Sequence, residues 1–334
     1  MTNKERYSEW VKLQNSLPVF MQPWWMDAVS AGKTWDVILV QEKSSSADSA
    51  QAAEQTDDQP KIVAAMPYLF RKKWWMTWIA MPQQTQIGGL WLDETREFTP
   101  DELTAICTEV ANQLKEQKLH YYYQQFPVGS PCPNLFKDLG FKVKERITYR
   151  INDLSNLDKV IDNFSKNKKR QLQKALSLHA ETKMTPEEFY AFHQQCLAGQ
   201  KKNISYSREF FLVLEQKLRK RKQSQILTIC NADHDVYAAA FLVWDSTRMY
   251  YLIPAYDVRY KDSGAGALLV LEALKLAREK GVSFDFEGSM TRNIAQHYKQ
   301  FGSKPCTYYS VEKYYKWWFW FGILFQHFRE WRLR

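Results

Sequence analysis

The chain has 334 residues and a net charge of +9, and 45% of its residues are hydrophobic. This length favours two domains, and the positive charge favours an anionic partner such as nucleic acid, phospholipid or a phosphorylated substrate. The five scattered cysteines show no CxxC spacing and indicate neither a zinc site nor a disulfide framework, so we expect no metal. The polar residues 1–6 and the lack of a run of about 18 apolar residues predict a cytoplasmic protein without a membrane span.

The first half of the chain predicts one α/β unit. Residues 61–70 and 74–81 have the composition of paired strands, and a glycine turn follows at Gly88 and Gly89. Residues 102–117 carry apolar residues at helical spacing. The unit then continues with a strand at 120–125, the run 135–141 and a last strand at 146–151.

A low-complexity segment interrupts this half at residues 41–61. It lies between predicted strands at 37–40 and 62–67, is acidic, and has almost no apolar residues. We predict a long, mobile hairpin tip here. A tolerated surface insertion is the alternative meaning.

The second half repeats this order of elements. Strands are predicted at 236–244 and 249–254, and a glycine loop at 261–267 leads into a helix at 268–280. Repetition of one plan indicates two similar α/β units in tandem, with mixed sheets and helices on both faces. The half closes with a strand at 282–287, the run 297–302 and a strand at 308–313.

These patterns divide the chain at residue 154. We expect the first unit at 1–154 and the second at 155–313, where basic helices occupy about 155–222. Residues 314–334 follow as an aromatic and basic helix. Its aromatic stripe suits the interface of an anionic leaflet, whereas docking on the protein's own core or on a partner is the alternative. The stripe consists of Trp317, Phe321, Leu324, Phe325 and Phe328, beside Lys316, Arg329, Arg332 and Arg334.

The glycine loop of the second half predicts an anion-binding site. A strand at 250–255 precedes this loop, and the loop feeds the helix that follows. Backbone N–H groups then point outward at the helix N-terminus with the helix dipole behind them, so a phosphate-bearing donor is the natural ligand. A plain strand-to-helix turn that needs glycine is the alternative.

Several short runs resemble a known family. Residues 264–266 (Gly-Ala-Gly) resemble the acyl-CoA loop of the GNAT acyltransferases, with Lys261 in place of the usual glutamine or arginine. The runs 165–175, 285–289 and 298–302 resemble the Fem family, the aminoacyltransferases of peptidoglycan bridge synthesis, and its relatives with a GNAT-type second domain. Over most of the chain, the resemblance implies an α/β fold of two tandem GNAT-like units.

The resemblance also implies an acyl-CoA co-substrate whose pyrophosphate lies on the glycine loop. Fem proteins proper take an aminoacyl-tRNA donor, and some carry a coiled-coil arm for it. The helical pair at 186–222 is too short for such an arm, so we expect acyl-CoA rather than tRNA. The implied acceptor is an amine, either a small molecule or a lipid-linked or cell-envelope precursor. The donor-binding residues would be Lys261, Gly264, Ala265, Gly266 and Ala267.

Asp285 and Glu287 are the candidate general bases. They alternate with Phe284 and Phe286 on a predicted strand and therefore point to one face, near the C-terminal end of that strand. Burial would raise the pKa of either carboxyl and suit it to deprotonating an amine, whereas pairing with a nearby Arg or Lys would be structural. We prefer Glu287 because it is nearer the strand end.

Lys299 is a further catalytic candidate. It matches a lysine that the Fem family uses near the transferred acyl group, and its charge would stabilise the oxyanion of a tetrahedral intermediate. A solvated lysine at a helix end is the alternative. His297 lies two residues away, and we expect it to be structural.

Two groups of residues are candidates for binding the acceptor. Lys168, Lys169 and Arg170 could hold a phosphate or diphosphate, although a charged helix face is the alternative. Trp24 and Trp25 are expected to wall a groove in the first half.

The leading functional hypothesis is an N-acyltransferase or aminoacyltransferase in which an amine attacks the donor carbonyl directly. We expect it in the cytoplasm, peripheral at the inner leaflet of the plasma membrane. The alternative is a noncatalytic protein that binds an anionic membrane or RNA, which the net charge, the basic helices and the aromatic tail favour. No motif of the common RNA-binding modules is present, which disfavours RNA.

Overall fold

The structure is a computed structural model that describes residues 1–42, 60–288, 290–316 and 318–319. Among these residues, no helix has both the length and the apolar character needed to cross a membrane. The helices are α1 (Asn3–Val11), α2 (Pro23–Val29), α3 (Pro100–Glu116), α4 (Cys132–Asp138), α5 (Leu157–Asp162), α6 (Lys166–Lys174), α7 (Pro186–Gly199), α8 (Arg208–Lys220), α9 (Ala265–Glu279) and α10 (Arg292–Lys299). The strands are β1 (Trp35–Gln41), β2 (Ile62–Lys73), β3 (Met76–Ile79), β4 (Trp91–Leu92), β5 (Tyr121–Gln125), β6 (Lys142–Ile151), β7 (His179–Glu181), β8 (Ser224–Cys230), β9 (Val236–Trp244), β10 (Arg248–Tyr256), β11 (Ser283–Asp285) and β12 (Lys304–Tyr314).

The chain forms two compact units. Unit 1 contains Met1–Glu145 and Tyr308–Arg334, and unit 2 contains Arg146–Thr307. The boundaries expected from the sequence, after residues 154 and 313, differ from these. The second boundary differs because β12, the last strand among the described residues, pairs with β5 in antiparallel register and completes the sheet of unit 1.

The sheet of unit 1 has the strand order β1-β2-β3-β5-β12, and β4 pairs with β2. Neighbouring strands are antiparallel except β3 and β5, which are parallel. Helix α3 begins where Thr99 and Glu102 form a reciprocal capping box, with Pro100 at the first helical position. The apolar face of α3 enters the core of this unit through Ile106, Cys107, Val110 and Leu114.

The sheet of unit 2 has the order β6-β11-β10-β9-β8-β7, with a parallel pair at β11 and β10 and antiparallel pairs elsewhere. Phe241 of β9 contacts Phe189 of α7 and Phe211 of α8, whereas Ala240 and Leu242 lie in the core that α9 completes. Because successive strand residues point to opposite faces, α7 and α8 cover one face and α9 covers the other. The predicted α/β class, with mixed sheets and helices on both faces, is confirmed.

One predicted strand is shorter in the structure. We predict a strand over 282–287, but β11 ends at Asp285. The chain turns there because the Asp285 carboxylate accepts the N–H of Glu287 and because Glu287 adopts a φ of +61°. The alternation that would place both carboxyls on one face of a strand therefore stops before Glu287.

Two predicted segments lie largely outside the described residues. Of the segment 41–61, residues 43–59 are outside, and of the tail 314–334, residue 317 and residues 320–334 are outside. The mobile hairpin tip and the membrane-facing stripe therefore stay predictions.

The described start of the tail packs on unit 1. The Trp318 ring lies 4.9 Å from that of Trp75, and the Phe319 ring lies 5.8 Å from that of Tyr121, as measured between centroids. Phe319 is buried by these contacts. This part of the tail agrees with the alternative in which it docks on the protein itself.

Candidate functional site

Asp285 forms a buried ion pair at the end of β11. Its carboxylate has no exposed surface, and it accepts hydrogen bonds from Arg150 Nε at 2.7 Å and from the Thr148 hydroxyl. Both donors lie on β6, where Arg150 stands opposite Asp285 in the antiparallel register. The structure thus gives Asp285 the paired arrangement that we considered as the structural alternative.

Glu287 has no such partners. It is half-buried as a residue, but its Oε1 is enclosed and accepts no hydrogen bond from any residue that the structure describes. Burial, and then the charge of Asp285, raise the pKa of Glu287 well above its ordinary value. Its backbone also lies in the left-handed region that residues other than glycine seldom adopt. Strain and an unpaired buried acid at one residue are features of functional sites.

An aromatic cluster joins Glu287 to the glycine loop. Phe286 stacks on Tyr298 with ring centroids 4.7 Å apart. Burial, followed by the charges of Tyr256 and Glu287, raises the pKa of Tyr298. The Tyr256 ring in turn packs against Gly266, where an added Cβ would lie 3.2 Å from it. Unit 2 therefore brings the preferred base and the predicted donor loop into one cluster.

Gly264 is required by helix packing. Its φ is +86°, and an added Cβ would lie 2.0 Å from the carbonyl oxygen of Gln171 in α6. No side chain fits between the loop and α6 at this distance. The first glycine of the loop thus has a structural reason that does not involve a ligand.

The loop has an inner and an outer side. On the inner side, the backbone N–H of Ala265 donates to the Ser263 hydroxyl at 3.2 Å, and the backbone N–H of Ala267 donates to the Gly264 carbonyl at 2.9 Å. On the outer side, Lys261 is exposed and Gly266 is half-buried. The predicted contact of a donor phosphate with this side, and the predicted use of all the loop N–H groups, stay predictions.

Lys168 points into unit 2 rather than into solvent. Its Nζ donates to Gln171 Oε1 at 3.0 Å, lies 3.3 Å from His297 Nδ1, and is 4.6 Å from the ring centroid of Phe301. Burial lowers the pKa of Lys168 to about 8. Burial, and then the charge of Lys168, lower the pKa of His297 to about 4. His297 is therefore neutral at pH 7 and accepts the lysine's hydrogen bond through Nδ1.

Lys169 and Arg170 do not join Lys168. The Lys169 Nζ lies 3.6 Å from Asp162 Oδ1, and Arg170 is exposed. Successive residues on an α-helix point about 100° apart, so three consecutive cations diverge. The structure therefore does not bring the predicted phosphate-binding group together.

Lys299 is the last residue of α10. Its side chain is exposed, and its Nζ lies 5.9 Å from the ring centroid of Tyr149. It follows Tyr298 of the aromatic cluster directly in sequence. The role of Lys299 at an oxyanion stays a prediction.

The two tryptophans predicted to wall a groove lie in unit 1. Trp25 is fully buried, its Nε1 donates to the Thr85 hydroxyl at 3.0 Å, and its ring meets that of Phe20 edge-on. Trp24 is half-buried. Trp25 is thus a core residue that holds the loop containing Thr85, and Trp24 alone of the pair keeps surface for a ligand.

The sequence reasoning missed Thr148, Arg150 and Tyr256. Thr148 and Arg150 are two residues apart on β6, and this spacing places both on one face of the strand. That signal marks a polar face but does not identify the carboxylate it meets, because β6 pairs with a strand far away in sequence. Tyr256 ends β10, and no local pattern separates it from a core tyrosine.

Comparison with known proteins identifies the fold. Residues 162–300 match the sequence profile of the acetyltransferase (GNAT) domain. The structure of FemX matches with a TM-score of 0.67 and 14% identity, over 92% of this chain and 96% of that chain. A tandem GNAT protein from the clavulanic acid biosynthesis pathway matches with a TM-score of 0.56 and 11% identity, over 93% of this chain and 94% of that chain. No curated protein sequence matches significantly.

A third structure extends this set. The C-terminal domain of a protein from Agrobacterium fabrum, assigned as a lysylphosphatidylglycerol synthetase, matches with a TM-score of 0.54 and 11% identity, over 92% of both chains. At such identities the structural matches show the fold, while the profile match covers α6, the glycine loop and Glu287. The predicted resemblance, the tandem GNAT fold and the acyltransferase class are confirmed. Residues 162–300 therefore match a GNAT acetyltransferase domain, and the chain as a whole has the tandem GNAT fold that FemX shares.

Proposed function

We propose that this protein transfers an acyl group from an acyl-CoA-type donor to an amine, with Glu287 as the general base. The observation that carries the proposal is the enclosed, unpartnered Oε1 of Glu287 on left-handed backbone. A raised pKa brings a carboxyl closer to the working pH, where a general base is most effective. Asp285 positions this base by accepting its backbone N–H.

The proposed reaction is direct transfer. The amine nitrogen attacks the thioester carbonyl, a C–N bond forms, and the C–S bond of the tetrahedral intermediate breaks. Glu287 accepts the proton that the amine loses, and the departing thiolate takes up a proton. Tyr298 is the proposed proton donor because its raised pKa keeps the hydroxyl protonated. Lys299 is proposed to stabilise the oxyanion.

The donor is proposed to contact the outer side of the glycine loop. Lys261 and the N–H groups near Gly266 offer positive charge to a pyrophosphate at the start of α9. The tandem GNAT structure from the clavulanic acid pathway is described as a form without AcCoA, which supports acetyl-CoA as a first donor to test. An aminoacyl-tRNA donor, as in the Fem family, is the other outcome of that test.

The acceptor is proposed to be an amine of a lipid-linked or cell-envelope precursor at the inner leaflet. The match to a domain assigned as a lysylphosphatidylglycerol synthetase, which is named for a lipid, supports this. In unit 1, Trp74 and Trp75 are exposed and follow Lys72 and Lys73 at the tip of the β2–β3 hairpin. Aromatic and basic side chains together suit the interface of an anionic membrane.

The base assignment is tested with Glu287→Gln, which keeps the shape of the side chain and removes its basicity. Donor affinity is measured by calorimetry with acetyl-CoA, and turnover by thiol release with a panel of small amines and amine-bearing lipids. We expect unchanged donor affinity and turnover about a hundredfold lower. Glu279→Gln, an exposed substitution at the end of α9, should change neither quantity.

Each outcome addresses one part of the proposal. Near-normal turnover of Glu287→Gln would remove Glu287 as the base. Failure of the unsubstituted protein to bind acetyl-CoA would remove the CoA donor. Transfer of a labelled aminoacyl group from aminoacyl-tRNA to the same amines, with release of the tRNA hydroxyl, would then assign the donor of the Fem family.

A further inference from the structure

Two histidines and a glutamate meet in unit 2, away from the candidate active site. His179 Nε2 lies 3.0 Å from Glu181 Oε1, and His234 Nδ1 lies 2.8 Å from the same oxygen. One potential ligand atom from each residue lies within 4.8 Å of the other two. The side chains of His179 and His234 are 46% and 68% exposed, so an ion from solvent can reach the cluster.

Strand pairing builds this cluster from distant parts of the sequence. His179 and Glu181 are two residues apart on β7 and therefore point to one face. Strand β7 pairs antiparallel with β8, and His179 stands opposite Cys230, the last residue of β8. The turn that follows contains His234, whose backbone N–H donates to the Asn231 carbonyl at 3.1 Å. The turn thus presents its histidine to the edge strand.

We propose that His179, Glu181 and His234 bind a divalent transition metal ion, with Zn²⁺ as the best match. Two imidazole nitrogens and one carboxylate oxygen are common zinc ligands at about 2.0–2.2 Å in tetrahedral geometry. Ligand atoms of such a site lie roughly 3.3 Å apart. The two histidine–glutamate distances are already close to this value, so small side-chain rotations separate the hydrogen-bonded arrangement from the metal-bound one.

Metal binding would exchange the two hydrogen bonds to Glu181 for coordinate bonds from the same three atoms. Coordination requires each ring proton to move to the other ring nitrogen, so that Nε2 of His179 and Nδ1 of His234 become ligands. One carboxylate and two neutral rings leave the fourth tetrahedral position open to water.

The position of the cluster assigns the ion a structural role. Strand β7 is the edge of the unit 2 sheet, four strands from β11, and strand spacing makes this separation roughly 19 Å. The ion would therefore not touch the reacting atoms. It would tie the three-residue β7, which follows α6 in the chain, to the turn between β8 and β9. Binding to the folded form alone would stabilise unit 2.

Calorimetry with Zn²⁺ tests the site directly. The full chain, without any histidine tag, is stripped with EDTA, dialysed and titrated with ZnCl₂. We expect one ion per chain, and binding at least about tenfold weaker for His179→Gln and for His234→Asn. Asparagine is chosen because it tolerates the left-handed backbone of residue 234. Asp233→Asn, in the same turn but outside the ligand set, should bind like the unsubstituted protein.

Two further readouts separate binding from damage to the fold. Circular dichroism should show that both histidine variants are folded. Zn²⁺ should raise the Tm of the unsubstituted protein and leave that of His234→Asn unchanged. No binding by the unsubstituted protein at about 100 μM Zn²⁺, or equal binding by the unsubstituted protein and both histidine variants, would overturn the proposal.

Discussion

The two units follow the same order of elements but differ at the ends of their central strands. In unit 1, Gln124 is neutral and bonded at both ends: its Nε2 donates to the Pro67 carbonyl at 2.8 Å, and its Oε1 accepts from the Tyr122 hydroxyl at 3.1 Å. In unit 2, β11 ends on Asp285 in an ion pair, and Glu287 follows in a turn with an enclosed, unpartnered oxygen. Unit 2 keeps an unfavourable group where unit 1 does not, and this difference supports the proposal that the chemistry lies in unit 2.

The glycine turns of the two units also differ, because protein groups close the turn of unit 1 more completely than the loop of unit 2. An added Cβ at Gly89 in unit 1 would lie 2.6 Å from the Phe126 ring, so an aromatic side chain closes this turn. In unit 2, α6 closes the loop at Gly264, while Gly266 keeps an open side. The comparison teaches that a glycine pattern marks close approach without saying whether protein or ligand approaches.

The largest expected effect is that of Gly264→Ala. The new Cβ would meet the Gln171 carbonyl at 2.0 Å on a backbone that already has a positive φ, so α6 must move away from α9. We expect the free energy of unfolding of unit 2 to fall by about 4 kcal/mol or more. Thermal unfolding followed by circular dichroism, together with soluble yield, measures the loss.

Gly281→Ala is the matched control for this change. Gly281 has a φ of +69°, but nothing lies within 4 Å of an added Cβ. The control therefore isolates the backbone strain, which we expect to lower stability by about 1 kcal/mol. If the two variants unfold alike, packing against α6 does not require Gly264. The alternative, that Gly264 is needed for the approach of a donor, would then gain support.

The elements that the sequence predicts well are those with local signals. Helix α3 is indicated in the sequence by apolar residues at helical spacing and by the capping residues Thr99, Pro100 and Glu102. The observed helix agrees with the predicted 102–117 within two residues at each end. The assignment of β12 to unit 1 has no local signal, because it depends on pairing with β5, far away in the chain. Tandem units are thus visible in the sequence, whereas the partner of a shared strand is not.

The candidate site divides in the same way. Helical periodicity indicates that Lys168, Lys169 and Arg170 diverge, but it does not say which one is buried. Asp285 is the carboxylate that forms an ion pair because Arg150 lies opposite it. This position results from the pairing of β11 with β6, which are far apart in the sequence. The sequence favours Glu287 over Asp285 because Glu287 is nearer the end of the predicted strand, whereas the structure places Glu287 in a turn beyond β11.

The second prediction compares buried carboxylates in the two units. Asp285→Asn leaves the buried Arg150 guanidinium without its counter-charge, so we expect a loss of about 3 kcal/mol in the stability of unit 2. In unit 1, Glu312 is also buried, but its partner Lys144 is about half exposed, at 2.8 Å. Glu312→Gln should therefore lower stability by only about 1 kcal/mol. Equal losses in thermal unfolding would mean that solvent reaches Arg150 as easily as Lys144.

The third and smallest effect is a gain in stability from Glu287→Gln that depends on pH. The folded pKa of Glu287 lies above its unfolded value, because burial and then Asp285 oppose the charge. Between these two pKa values the folded state holds more protons than the unfolded state, so the stability of the unsubstituted protein falls as pH rises through that window. Glutamine cannot ionise and removes this loss.

Thermal unfolding of both proteins across about pH 4 to 9 measures the difference. We expect equal Tm values at the acid end, where both folded and unfolded forms of Glu287 are protonated, and a higher Tm for Glu287→Gln at the alkaline end. Gln124→Glu makes the opposite change in unit 1, because it puts an ionisable carboxyl where the Gln124 amide forms hydrogen bonds through both its oxygen and its nitrogen. We expect the stability of this variant to fall as pH rises. A Tm difference that does not change with pH for Glu287→Gln would mean that Glu287 has the same pKa in the folded and unfolded states, and unit 2 would then lack the poised base that distinguishes it from unit 1.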